Sequence, residues 1–251
     1  LEPKTLDEIL ETIKTVGAAT DTETRAGEIV DKLGARIEKI RALLSNERDK
    51  PRVFCLEWLD PPYAAGHWVP EMVEIAGGEN GLGMPGEPSF KVTWDDIADY
   101  APHIMLIMPC GFDVEKTLHE IDTVTSNEQW FSLPSTSKGH IYLVDANSYF
   151  SRPGPRIVDG LEIMAKIFHR DSMKSYDPPA NSVINLRNYM HLELFMGSRM
   201  RIKITLTLLL AAACMYLSIA LATDVSPRRI VSLSPNLTQV IFALGEGDRV
   251  V

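Results

Sequence analysis

The sequence predicts an α/β fold, a parallel sheet with helices packed on its faces. Three observations predict it. Short apolar runs at 52–57, 103–108 and 141–144 have the length and residue types of buried strands. Around them lie stretches whose apolar residues recur every three to four positions, as in amphipathic helices. Strands that alternate with helices need crossover connections, and these give parallel pairing and a sheet covered by helices.

Thr5-Leu6-Asp7-Glu8 reads as a capping box, opening a helix with Leu6, Ile9, Leu10, Ile13 and Val16 on one face. A longer helix carries Ala26, Ile29, Val30, Leu33, Ile37, Ile40 and Leu44, with its charges mostly opposite. After the strand at 52–57, residues 69–76 form a helix closed by Gly77-Gly78. Residues 94–100 form another, with Thr93 and Asp96 as its capping box. The second strand is followed by a helix at 114–121, and the third by a helix at 156–168. Pro155 opens that last helix, where a missing N–H is harmless. The stretch 171–198 has no periodicity and reads as a tail or seam.

Composition bounds the function. At 251 residues the chain has room for one large domain or two modest ones. Its 45% apolar and 24% charged residues are ordinary for a globular protein. A net charge of -9 argues against nucleic acid, whose binders concentrate basic surface. Cys55, Cys110 and Cys214 fit neither a disulfide framework nor a CxxC metal site, and Cys55 is expected as a buried thiol.

Residues 199–222, RMRIKITLTLLLAAACMYLSIALA, join a basic flank (Arg199, Arg201, Lys203) to an uncharged apolar run. The run ends in Ala220-Leu221-Ala222, an A-x-A exit, and the segment reads as a secretory signal peptide beginning at Met200. A transmembrane helix is the competing reading, since the run is about long enough for a bilayer. Lipidation at Cys214 is a third, against which Ala211-Ala212-Ala213 lacks the usual leucine. A signal peptide here implies a permuted order, or two joined genes.

Several motifs have plainer readings. Gly81-Leu82-Gly83-Met84-Pro85-Gly86 matches GxGxxG by letter. A helix precedes it and no helix follows, so a surface loop is expected. His67 and Glu71 have a helical metal-ligand spacing, but Pro70 intervenes and no third ligand is near. No GxSxG elbow or nucleophile with an evident base supports catalysis, and no enzyme activity or cofactor is expected. The informative groups are aromatic and follow the strands: Trp58 to Tyr63 after the first, Pro109 to Phe112 after the second, Asn147 to Gly154 after the third. The carboxyl ends of strands in open α/β sheets face the ligand crevice. Trp, Tyr, Phe and Arg gathered there suit a wide, mostly apolar ligand, although each aromatic taken singly fits the edge of a core equally well.

PRVFCLEWLDPPYAAGHWVPEMVEIAGGEN (51–80), MPCGFDVEKTL (108–118) and NSYFSRPGPRIVDGLEIMAKI (147–167) resemble the C-terminal lobe of the cobalamin-binding proteins of vitamin B12 importers. RRIVSLSPNLTQVIFALGEGDRVV (228–251) is similar to the opening strand and helix of the N-terminal lobe, and residues 1–20 to the entry into the helix joining the lobes. The resemblance implies a class III periplasmic-binding-protein-like fold, two α/β lobes on a long spine helix, with the first lobe largely missing here. Residues 1–50 would be the interlobe segment and spine helix, 51–170 the C-terminal-type lobe, and 171–199 the seam. It also implies Trp58, Tyr63, Tyr149, Phe150 and Arg152 at the ligand face, with Ser234, Pro235 and Asn236 from the other lobe. Asp95, an aspartate where a glutamate is familiar, would dock on the permease. A tryptophan of some members is replaced by Ser89 and Phe90.

The expected function is that of a monomeric, extracytoplasmic substrate-binding protein, delivering cobalamin or another corrinoid to an ABC permease and its ATPase. A haem, siderophore or metal receptor of the same fold, and a membrane-anchored protein, are the alternatives.

Overall fold

The computed structural model describes residues 2–191. Two helices lead. Helix α1 spans Leu6–Ala19 and α2 spans Glu23–Leu44. With 22 residues, α2 is about 33 Å long. Thr5 caps α1 by accepting from the Glu8 N–H at 3.3 Å. The expected reciprocal bond is displaced by one residue, because the Glu8 carboxylate accepts from Lys4 N instead, at 2.6 Å. The other end of the box is closed from outside the helix: Glu71 accepts from Leu6 N at 2.9 Å and ties α1 to the lobe.

The lobe proper runs β1 (Arg52–Trp58), β2 (Tyr63–Ala64), α3 (Val69–Ile75), β3 (Glu79–Asn80) and β4 (Phe90–Lys91). There follow α4 (Trp94–Tyr100), β5 (Ile104–Ile107), α5 (Val114–His119) and α6 (Asp122–Thr125). A 3-10 turn (Glu128–Ser132), α7 (Pro134–Lys138), β6 (Ile141–Val144), α8 (Ala146–Tyr149), α9 (Ile157–Phe168) and β7 (Val183–Asn185) complete it. The α/β class expected from the sequence is the class found.

The sheet is mixed rather than wholly parallel. Its order is β4-β2-β1-β5-β6-β7, with β3 pairing the start of β1. The three long apolar strands β1, β5 and β6 run parallel, whereas β2, β4 and β7 pair antiparallel at the margins. These marginal strands have two or three residues, too few for an alternation to be visible. One of them, β7, arises from the stretch read as a tail: Val183 pairs with Val144 and Asn185 with Tyr142.

Period-two alternation divides the core. Val53 and Cys55 of β1 and Leu106 of β5 pack with α1, α2, α3 and α9. Phe54 and Leu56 of β1 and Met105 and Ile107 of β5 face the other way, against α4, α5, α6, Trp130 and Leu133. Both faces are covered, so these strands read as continuous apolar runs. The long α2 is fixed on α9 by Arg36, whose guanidinium reaches Glu162 through two bonds of 3.0 and 2.7 Å and Asp159 at 2.5 Å. Helix α4 has the expected box in full, Thr93 and Asp96 bonding reciprocally. Helix α9 begins one residue later than expected. Arg156 is its cap, which leaves Pro155 just outside the helix.

Candidate ligand cleft at the strand ends

The loops leaving β1, β5 and β6 meet at one edge of the sheet and are stitched together. Cys110 N donates to Glu57 O at 2.9 Å, Asn147 N to Phe112 O at 2.9 Å, and Gly111 N to Ser151 Oγ at 3.1 Å. Two hollows open there and share Glu57 and Cys110 in their walls. The larger, about 510 Å³, is lined by Glu57, Trp58, Pro61, Tyr63, Ser89 and Cys110. The smaller, about 370 Å³, has Lys4, His67, Trp68 and Phe150 among its walls.

The sequence-expected residues divide between this cleft and other places. Trp58 and Tyr63 are cross-strand partners and both line the larger hollow. Trp58 is 42% exposed and stands edge-on to Phe112, ring centroids 5.7 Å apart, while Lys116 Nζ lies 3.7 Å from the Phe112 centroid. Part of the indole surface thus remains exposed and available for stacking.

Phe150, expected to stack on a ligand, is 2% exposed and belongs to the core. The short α8 turns its ring inward toward Met72 and Gly160, and its carbonyl accepts from Trp68 Nε1 at 2.9 Å. Tyr149 is half-buried against the same core, and neither hollow has it among its lining residues. It stands near Tyr176, whose phenol is pushed up by burial and by the charges of Glu162 and Asp159. Arg152 is exposed and donates to Asn147 Oδ1 at 2.9 Å. Asp95 is exposed in the first turn of α4 and accepts from the Gln129 side-chain amide. Ser234, Pro235 and Asn236, like the signal-like segment and Cys214, lie outside the described residues.

Sequence reasoning missed Glu57. Leu56 pairs with Ala64 and Trp58 with Tyr63, so Glu57 is an extra residue on β1, a β-bulge. Bulges of this kind re-aim a side chain at a sheet margin. Burial pushes the Glu57 carboxyl up, while the Ser89 hydroxyl and His67 pull the other way. The neighbouring backbone supports this group. A side chain at Gly66 would collide with Glu87 O, Pro88 C and Ser89 N at 2.4–2.5 Å, so only glycine admits the 87–89 segment here. Ser89 Oγ accepts from Gly66 N at 3.1 Å, and His67, with φ 54°, is held by Glu87 O at 2.6 Å. A charged residue closing a buried apolar run was the available signal.

Other motifs resolve simply. Glu71 is engaged at the α1 terminus, and among the described residues no group of three or more His, Cys, Asp or Glu is placed to hold a metal ion. The glycine-rich 81–86 segment is a loop between β3 and β4. Cys55 is buried, which pushes its thiol up, whereas Cys110 is exposed at the cleft. Among the described residues no helix is long and apolar enough to cross a membrane.

A family model described as periplasmic binding protein matches residues 1–148. Over 133 residues the chain is 22% identical to the high-affinity heme uptake system protein IsdE of Staphylococcus aureus (strain MRSA252), covering 52% of this chain and 46% of that protein. The match thus spans just under half of that relative's length. Among solved structures, the chain resembles an ABC transporter substrate-binding protein from Listeria monocytogenes EGD-e, with TM-score 0.60, 19% identity, and 67% and 66% of the two chains covered. It also resembles S. aureus IsdE complexed with heme, with TM-score 0.58, 19% identity and 66% of each chain. An ABC-type Fe3+-hydroxamate transport system from Saccharomonospora viridis DSM 43017 gives TM-score 0.57, 24% identity, and 67% and 57%. At such identities the likeness establishes a shared fold.

Proposed function

Since the chain belongs to the periplasmic binding protein family, we propose that it is a substrate-binding protein of an ABC importer whose strand-end cleft receives a tetrapyrrole, cobalamin or a related corrinoid. The observation that carries this reading is the open aromatic wall made by Trp58 and Tyr63 beside a hollow of about 510 Å³. Pockets of several hundred Å³, mostly apolar with few polar groups, are typical of small-molecule sites. The corrinoid itself rests on the sequence resemblance. Haem is the second reading, favoured by one relative, IsdE of S. aureus, a heme uptake protein that also has a solved structure complexed with heme.

In this reading Asp95 docks on basic residues of a permease, which an ATPase drives, and the protein works outside the cytoplasm. Its exposed place in the first turn of α4 supports the docking role. Equilibrium dialysis of the full chain against cyanocobalamin, haemin and a ferric siderophore tests the ligand. Retention of cyanocobalamin, weakened by Trp58→Ala and by Tyr63→Ala, is expected. Retention of haemin alone would leave the receptor reading standing and remove the corrinoid. Retention of none would remove the cleft as a ligand face. For docking, Asp95→Lys should reduce uptake by cells dependent on this protein without changing ligand retention.

A further inference from the structure

The larger hollow combines aromatic walls with one carboxylate placed by a backbone irregularity. Glu57 is the bulged residue of β1, its own carbonyl is engaged by Cys110 N at 2.9 Å, and it is among the residues lining both hollows. An ionised carboxylate is an acceptor with room for several donors, and Ser89 meets only part of that capacity. Partly buried, it gains most from a ligand that brings N–H groups and loses most from one that brings a second carboxylate, since like charges repel more strongly away from water.

Among the described residues no cation lines the larger hollow itself, although Lys91 is the cross-strand partner of Tyr63 and Lys116 lies over Phe112 at its margin. Arg152 is exposed and bonded to Asn147. Lys4 lines the smaller hollow, where Glu2 accompanies it. His67 lines the smaller hollow and not the larger, and it acts on the Glu57 carboxyl from there.

We propose that Glu57 is a specificity-determining residue, pairing with amide N–H groups on the rim of a flat ligand and disfavouring a rim of carboxylates. Resting on the reading that the strand-end cleft is the ligand face, this assigns the substrate class as an amide-rimmed tetrapyrrole rather than a carboxylate-rimmed one.

The test compares two ligands with one ring: cyanocobalamin, and cyanocobalamin whose peripheral propionamides have been hydrolysed to carboxylates. Haemin is a third, independent carboxylate-rimmed probe. Equilibrium dialysis is done above neutral pH with the full chain, its Glu57→Gln variant and its Trp58→Ala variant, each checked for folding by circular dichroism. Wild type should retain the amide form at least about tenfold more tightly than the hydrolysed form, the scale of one lost charged hydrogen bond. Glutamine both donates and accepts, so Glu57→Gln should narrow that ratio to less than about threefold. Trp58→Ala should weaken both forms while keeping their ratio, which a merely structural role for Glu57 would not separate. Equal wild-type affinities, an unchanged ratio in Glu57→Gln, or preference for haemin would overturn the proposal with the cleft intact. A folded wild type that retains none of the three overturns the cleft itself, and the proposal with it.

Discussion

The indole N–H of Trp68 donates to the carbonyl oxygen of Phe150 at 2.9 Å, a buried bond between residues 82 apart in sequence. It joins the turn after β2 to the loop after β6, two of the segments that border the smaller hollow. Trp68→Phe keeps most of the ring and removes the donor, stranding a buried carbonyl. The expected cost is about 1–3 kcal/mol, read from urea denaturation.

Phe150 and Trp58 should part company in experiment. Phe150→Ala removes a core ring and should cost about 3–5 kcal/mol of stability. Trp58→Ala should change stability little and weaken ligand retention by about tenfold or more, as loss of an anchoring aromatic does. Thermal melts and dialysis on the same two variants check both halves.

Arg36 forks across Asp159 and Glu162 while its side chain is still 36% exposed. Solvent weakens such pairs, so Arg36→Ala should cost about 1 kcal/mol. Lysine cannot reproduce the two-bond contact with Glu162, and Arg36→Lys should recover only part of the loss. Denaturation midpoints of the three proteins provide the comparison.

Two carboxyls should give stability opposite dependences on pH. Glu57, raised by burial, holds its proton more tightly folded than unfolded. Its contribution is fully present below the ordinary value of 4.5 and is lost as pH rises through its higher folded value. Asp96 is lowered by its bonds to the Thr93 hydroxyl and backbone, so its contribution is present above 3.8 and is lost as pH falls through its lower folded value. Urea titrations across the acid range should show the first slope vanish in Glu57→Gln and the second in Asp96→Asn.

Much of this arrangement was legible in the sequence because it rests on repetition. The stripes of α1, α2 and α9 and the apolar runs of β1, β5 and β6 recur often enough to expose their periods. The Thr93–Asp96 box was legible from two residues, since its chemistry is local. What stayed hidden depends on register. Phe150 follows a strand as a ligand-facing aromatic would, yet the one-turn α8 decides that its ring points inward. Glu57 follows four buried residues, and only the pairing with Tyr63 and Ala64 reveals the extra residue that turns it into the cleft. Tyr63 was expected in the loop after the first strand, and the two residues of β2 that it opens, like the three of β7, carry no pattern of their own.

The margins of the sheet have a consequence for behaviour in concentrated solution. Open sheets polymerise when an outer strand offers a foreign chain a long row of free N–H and C=O groups. Among the described residues the marginal strands at the two ends of the sheet order are Phe90–Lys91 and Val183–Asn185, too brief to template a neighbour, and Lys91 puts a charge in the path of one that tries. The same brevity that concealed these strands from pattern reading acts as a guard against self-association.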